Sequence, residues 1–372
     1  EKRIGCREIN IFKMIDTKCF TYEWIDRKSR ELNYTDKNLI EKVIRAFSLL
    51  DMLARSGCPF CFKGGSCLML LLQDSPHRLS IDIDIMCPPG TNIEKYLSKY
   101  EECGFIDYEL VERRQAGTNI PKSHSKFFYK VAFRDDSNRP AYILLDVLFE
   151  DCHYEQVIEI EINSPLIEIT GSRSIVKVPS AGDILADKLT AFAPETTGIP
   201  YYKNGDLKTL EIIKQLYDVG RLFDCVSDLT VTRNAFVKIA PLELGYRKLP
   251  TNDFSIIFND IRNTSLNIAT RGLVDKEKFA LLQRGIKSIV PFMYKQSYFI
   301  ENAITDAAKA AYLATCIQYG IVETEHYNGN PASLRNLTID STLHHRLNRL
   351  KVSNHEAFFY WHRTADILLS IL

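Results

Sequence analysis

The sequence has no net charge, no long apolar run and no dense cysteine spacing, and each absence closes off a class of protein. Its 372 residues hold 47 Lys plus Arg against 47 Asp plus Glu, so the chain as a whole is not a polycation built for nucleic acid. Any contact with RNA or DNA must come from a local basic patch. No stretch approaches the roughly 18–20 uninterrupted apolar residues that span a bilayer. Glu1 to Phe12 is charged, unlike the apolar core of a secretion signal, so no membrane partner is expected. Ten irregularly spaced cysteines are too few for a disulfide scaffold and predict free thiols in a reducing, cytoplasmic setting. Repeats and low-complexity tracts are also missing. What remains, 45% hydrophobic and 25% charged, is an ordinary globular composition of about two domains.

Periodicity divides the chain. Residues 36–56 place Leu39, Val43, Phe47, Leu50 and Leu53 at helical spacing between Thr35 as N-cap and Gly57 as stop, which predicts an amphipathic helix. Strand-like runs follow at Leu79 to Met86, Phe127 to Phe133, Tyr142 to Phe149, Val157 to Ile162 and Leu166 to Thr170, separated by turn-rich pieces such as Cys87-Pro88-Pro89-Gly90. From Ser180, with Asp183 as its capping-box partner, the pattern turns helical through Ile184, Leu185, Leu189 and Phe192. A loop with Pro194, Gly198, Pro200 and Gly205 leads to a helix from Asp206 to about Asp224, then to helical stretches near 275–295, 299–318, 331–350 and 354–371. The expected fold class is α+β: an N-terminal domain, residues 1–195, with a small mixed sheet flanked by helices, and an all-helical C-terminal domain, residues 196–372.

The segment richest in chemistry is Lys63-Gly64-Gly65-Ser66, followed by Arg78-Leu79-Ser80-Ile81-Asp82-Ile83-Asp84-Ile85. On a strand, Ser80, Asp82 and Asp84 share one face, with Arg78 in the same parity, while Ile81, Ile83 and Ile85 share the other. Carboxylates two residues apart on one face sit about 6–7 Å apart at the backbone and converge on one hard cation or a close pair, for which Mg²⁺ is the natural occupant. A solvated strand face would produce the same alternation. Upstream, Gly64 and Gly65 permit close backbone approach where a short helix begins, a place that attracts phosphate oxygens, and Ser66 adds a hydroxyl donor. A third carboxylate, Asp146, interrupts the otherwise apolar run Tyr142 to Phe149, so it is either metal-bound or held in a structural ion pair. Three carboxylates on adjacent strands suit metal-assisted phosphoryl or nucleotidyl transfer. Lys188 shares the apolar stripe of Ile184, Leu185 and Phe192 and so projects from a core-facing side toward the sheet. Asp218 sits on an otherwise apolar helix, as a nucleotide contact or as an interhelical hydrogen-bond acceptor.

Taken together these residues resemble the nucleotidyltransferase superfamily with a polymerase-beta-like core, marked by Gly-Gly/Ser, a spacer and Asp-x-Asp. More narrowly the sequence is similar to the AbiEii/AbiGii toxin family. Lys63 to Ser66 and Arg78 to Asp84 match that family's Lys-Gly-Gly-Ser/Thr and Arg-x-Ser-x-Asp-Ile-Asp, Asp146 matches its further strand Asp, and Lys188-Leu189-Thr190-Ala191 matches its helical Lys-Leu-x-Ala. Its Asp-Leu-Tyr-Asp helix is met in part by Gln215-Leu216-Tyr217-Asp218, with Gln215 in the place of the first acid. The resemblance runs over roughly residues 36–224. It implies a polymerase-beta-like nucleotidyltransferase domain that moves a nucleoside monophosphate from an NTP to a hydroxyl of RNA (tRNA included) or protein, with Mg²⁺ or Mn²⁺ as cofactor and a separate cognate antitoxin as partner. It further implies nucleotide contacts from Gly64, Gly65, Ser66, Arg78, Ser80, Lys188 and Asp218, and metal binding by Asp82, Asp84 and Asp146. Asp146 would also activate the acceptor hydroxyl, and Lys188 would neutralise phosphate charge. Two other readings stay open: a small-molecule nucleotidyltransferase of the antibiotic-modifying kind, and a regulatory protein that binds NTP without turnover.

Other signals are weaker. Cys58-Pro59-Phe60-Cys61 follows a helix instead of opening one, which is the reverse of a redox motif, and no second Cys or His pair completes a zinc site. His344-His345 lacks ligand spacing, and neither G-x-G-x-x-G nor a P-loop is present. Between Val111 and Arg139 seven basic residues (113, 114, 122, 126, 130, 134 and 139) outnumber three acids (112, 135 and 136) and alternate with Phe127, Phe128 and Tyr129, a candidate RNA contact or a plain solvated hairpin. Leu343 to Lys351 is a second basic candidate.

Overall fold

The computed structural model describes residues 15–73, 75, 77–111, 122–132, 140–294, 296–339 and 345–371. Two helices, α1 (Tyr22–Glu31) and α2 (Lys37–Arg55), come first. Helix α2 is the one expected at 36–56; its cap is Asp36, which accepts from Leu39 N at 3.1 Å, and its stripe of Leu39, Val43, Phe47, Leu50 and Leu53 is buried. The sheet segment then runs β1 (Cys61–Lys63), α3 (Gly64–Leu72), β2 (His77–Arg78), β3 (Ile83–Cys87), β4 (Asp107–Val111), β5 (Lys122–Tyr129), β6 (Ala141–Phe149), β7 (Val157–Glu161) and β8 (Ile175–Pro179).

Seven of these strands form one mixed sheet in the order β4-β5-β6-β3-β1-β8-β7. The pairs β3/β6 and β1/β8 are parallel and the remaining ones antiparallel. On β6, Ile143, Leu145 and Val147 are buried, whereas Leu144, Asp146 and Leu148 on the opposite face are only half-buried. The sheet therefore has one sealed face and one that is partly open.

The chain continues through α4 (Ala181–Ala191), a hairpin of β9 (Tyr202–Lys203) and β10 (Asp206–Leu207), α5 (Thr209–Phe223), α6 (Thr230–Tyr246), α7 (Ser255–Ala269) and α8 (Lys276–Ser288). It ends with β11 (Met293–Tyr294), α9 (Ile300–Tyr319), α10 (Leu350–Ser353) and α11 (His355–Ile371). The α+β class is as expected, with a helical C-terminal region. Helix α9 is its axis: Ala303, Ala307, Ala310, Ala311 and Ala314 are fully buried, and these small side chains let α5, α7 and α11 pack on it from several sides. Strand β11 crosses back to pair with β2, and Leu79 N donates to Phe292 O at 2.7 Å, so the helical half reaches the segment that carries Arg78.

Several elements differ from the sequence reading. Leu79 to Met86 is not one strand: β2 ends at Arg78, residues 79–82 are irregular and β3 starts at Ile83. The β2–β11 pairing takes up the backbone before this break, which is why one strand becomes two. Leu166 to Thr170 forms no strand, because its backbone is engaged by the N-terminal segment through Asp16 N to Glu168 O and the Ile15–Ile169 bridge. Residues 331–350 yield two short 3-10 turns, Pro331–Leu334 and His345–Arg349, where a helix was expected; Pro331 and the Asn330 cap fit the first turn. Most of the 111–139 basic stretch and the start of the 343–351 one lie outside the described residues. Among the described residues no helix is long and apolar enough to cross a membrane.

Candidate active site

A single row of side chains crosses four adjacent strands. Pairing registers place Lys63 of β1 opposite Asp84 of β3, Asp84 opposite Asp146 of β6, and Asp146 opposite His124 of β5. Residues directly opposite one another share a face, so two carboxylates stand side by side on the partly open face, flanked by a lysine and a histidine. Asp82 precedes β3 in the irregular segment and couples to the same pair. Burial, with Asp146 and then Asp82 adding repulsion, pushes the Asp84 carboxyl up to about 7. Asp82 is also raised, by burial and by Asp146, against the pull of Lys214, Lys42 and Arg78.

The glycine turn packs onto this row. Gly64 has φ +79, and a Cβ there would run into the Asp84 carboxylate. A Cβ on Gly65 would lie 2.6 Å from Arg78 Nη2 and 2.8 Å from Ser80 Oγ. Bare backbone is thus required between Asp84 on one side and Arg78 with Ser80 on the other. No side chain caps the first turn of α3, which leaves its N–H groups facing this crowded corner. Ser66 is fully buried and donates to the Asp82 carbonyl at 2.5 Å, so its hydroxyl fixes the irregular segment from below.

Arg78, Lys188 and Asp218 form one buried ion-paired unit. Asp218 accepts from Arg78 Nε at 2.8 Å and Nη2 at 2.7 Å, and Lys188 Nζ lies 3.0 Å from Asp218 Oδ2. Burial alone would raise Asp218, yet the two cations outweigh it and hold the carboxyl below its ordinary value. Lys188 also donates to Gln215 Oε1 at 3.1 Å, so the residue standing where the resemblance leads one to expect an acid still serves as an acceptor. An ammonium has three donors, and Asp218 and Gln215 engage two of Lys188's. Asp218 thereby anchors both Arg78 and Lys188.

Sequence reasoning missed three participants. His124 Nδ1 lies 2.5 Å from Asp146 Oδ1, a contact that only the strand register creates. Lys63 pairs with Asp187 at 3.4 Å, and Tyr154 also donates to Asp187. Burial opposes the Lys63 charge, but Asp187 and Tyr154 outweigh it and hold the ammonium protonated. Lys214 stands on α5 one turn before Asp218; that helical spacing was the signal available in the sequence. The Cys58 and Cys61 thiols are pushed up, Cys61 to about 12 and chiefly by burial, so neither is a ready thiolate.

Among the described residues no three His, Cys, Asp or Glu side chains are already gathered as a metal cage. A hard divalent cation held by one or two carboxylates, with water and substrate phosphates completing its shell, needs no such cage. The clustered carboxylates and the raised Asp84 fit that chemistry. The AbiEii family, described as the nucleotidyl transferase AbiEii toxin of type IV toxin–antitoxin systems, matches residues 48–295. The chain belongs to the AbiEii nucleotidyltransferase toxin family. The matched span takes in the whole carboxylate row, the glycine turn and the Arg78–Asp218–Lys188 unit of this AbiEii protein. Two solved structures are also similar to it: the nucleotidyltransferase toxin MenT4 of Mycobacterium tuberculosis, at 13% identity and TM-score 0.45 over 81% of this chain and 94% of that one, and a protein from H. pylori assigned as a nucleotidyltransferase, at 14% identity and TM-score 0.37 over 76% and 94%. No curated protein matches the chain.

Proposed function

We propose that this AbiEii protein transfers a nucleoside monophosphate from an NTP to a hydroxyl of RNA or protein, with Mg²⁺ or Mn²⁺ as cofactor. The observation that carries the reading is the in-register pair Asp84 and Asp146, joined by Asp82, next to a turn that only glycine can occupy. Asp82, Asp84 and Asp146 would hold the divalent ion, which when bound offsets charge on the reacting phosphate and leaving pyrophosphate. His124 occupies Oδ1 of Asp146 and leaves Oδ2 to accept the proton of the attacking hydroxyl. Lys188, held by Asp218 and Gln215, points its remaining N–H at the departing phosphates. The uncapped start of α3, with Gly64 and Gly65, gives backbone donors to the triphosphate, and Arg78 and Ser80 line its floor. Membership of a toxin–antitoxin family implies a cognate antitoxin as partner.

The test is transfer of label from each of four α-labelled NTPs, with Mg²⁺ or Mn²⁺, to total RNA and total protein, comparing wild type with an Asp82→Asn/Asp84→Asn double variant. Label in one fraction with wild type alone supports the reading and names the acceptor class. Absence of label in both, from folded protein that binds NTP, refutes transfer to macromolecules.

A further inference from the structure

The other cations of the site each already have a carboxylate partner. Arg78 and Lys188 are bound to Asp218, and Lys63 to Asp187. A polyphosphate brought beside three carboxylates adds negative charge that these paired groups offset only in part. Lys214 is different. It lies four residues before Asp218, on the same face of α5, and Asp218 reaches across to Arg78, so this face looks toward β2 and the segment carrying Asp82. The side chain is half-buried, and its ammonium sits 3.9 Å from the centroid of the Phe292 ring, on the segment that β11 pins against β2. It makes no carboxylate ion pair among the described residues.

We propose that Lys214 is a phosphate-binding residue, whose ammonium contacts the polyphosphate of the bound nucleotide from the helical half of the molecule. The inference rests on the nucleotidyl-transfer reading above. Phe292 steers the stem and holds the ammonium beside this segment without neutralising it, as a cation over a ring keeps its charge. The groups around it are Arg78, Glu211, Asp82 and Asp218. Burial, reinforced by Arg78, lowers its pKa to about 8, the state of an ammonium short of anionic partners. An incoming phosphate supplies the missing partner.

The experiment is calorimetric binding of the four α,β-methylene NTP analogues, with Mg²⁺, to the full chain. Lys214→Met is expected to weaken the tightest-bound analogue about 10- to 100-fold, the worth of one charge-assisted contact. Lys214→Gln should lose the same amount, Lys214→Arg should stay within about threefold of wild type, and binding of the parent nucleoside should not change. Lys276→Met, which removes an exposed charge on α8, serves as control and should bind like wild type. Unchanged affinity in Lys214→Met and Lys214→Gln overturns the proposal, as does an equal loss in Lys276→Met. A wild type that binds no analogue overturns the nucleotidyl-transfer reading itself, a result distinct from either.

Discussion

Replacing Asp84 by Asn removes one charge from a row in which Asp146 stands directly opposite and Asp82 lies two residues away, so the metal-free protein should become more stable at neutral and alkaline pH. The sign follows from linkage. The folded pKa, about 7, lies above the ordinary 3.8, so the folded state holds the proton more tightly than the unfolded one. Stability is greatest below the unfolded pKa, declines as pH rises between the two values, and carries the full penalty above pH 7. About three pKa units set a ceiling of about 4 kcal/mol. Asp84 is half-buried, and solvent screening reduces this to about 2 kcal/mol. For a chain of this length that is a rise of about 2–4 °C in melting temperature. Thermal melts followed by circular dichroism in chelator at pH 4.5 and pH 8 read it directly: the two proteins should melt close together at pH 4.5 and separate at pH 8. Added Mg²⁺ should raise wild type more than the variant, because the bound ion stabilises the folded state that retains its ligand. Identical melts at pH 8, or a variant that melts lower there, would refute the claim that these carboxylates repel one another in the empty site.

Asp218→Asn acts in the opposite sense, since it leaves Arg78 and Lys188 buried without their anion. A loss of about 3–5 kcal/mol is expected in denaturant unfolding, and parity with wild type would show that the unit is not closed. Gly64→Ala should abolish transfer because its Cβ displaces the Asp84 carboxylate, whereas Gly57→Ala, at a similar positive φ with nothing near its Cβ, should lower stability by about 1 kcal/mol and leave activity intact. His124→Ala frees Asp146 Oδ1; steady-state kinetics should show kcat down by about tenfold with the KM for NTP nearly unchanged, and a loss confined to KM would assign His124 to nucleotide binding.

The sequence by itself determined what local periodicity and residue chemistry can encode. The buried stripe of α2, the Ser180–Asp183 cap of α4, the glycine pair, the three carboxylates, Lys188 and Asp218 were all legible, because helix faces, caps and apolar runs are written within a few residues. Strand ends were not: short strands such as β4 and β8 carry too few residues for a period, and the break between β2 and β3 comes from pairing with Met293 and Tyr294, far along the chain. The site's electrostatics belong wholly to tertiary structure. Only the sheet order puts Asp146 beside Asp84 and His124 beside Asp146. Only tertiary packing joins Asp218 of α5 to Arg78, 140 residues away, and makes it the anchor of two cations. Ser66 likewise meets the Asp82 carbonyl, 16 residues on, only in the folded chain. Charges interact through space with a strength set by distance and burial, and neither quantity exists until the strands are in register and the helices have closed over them.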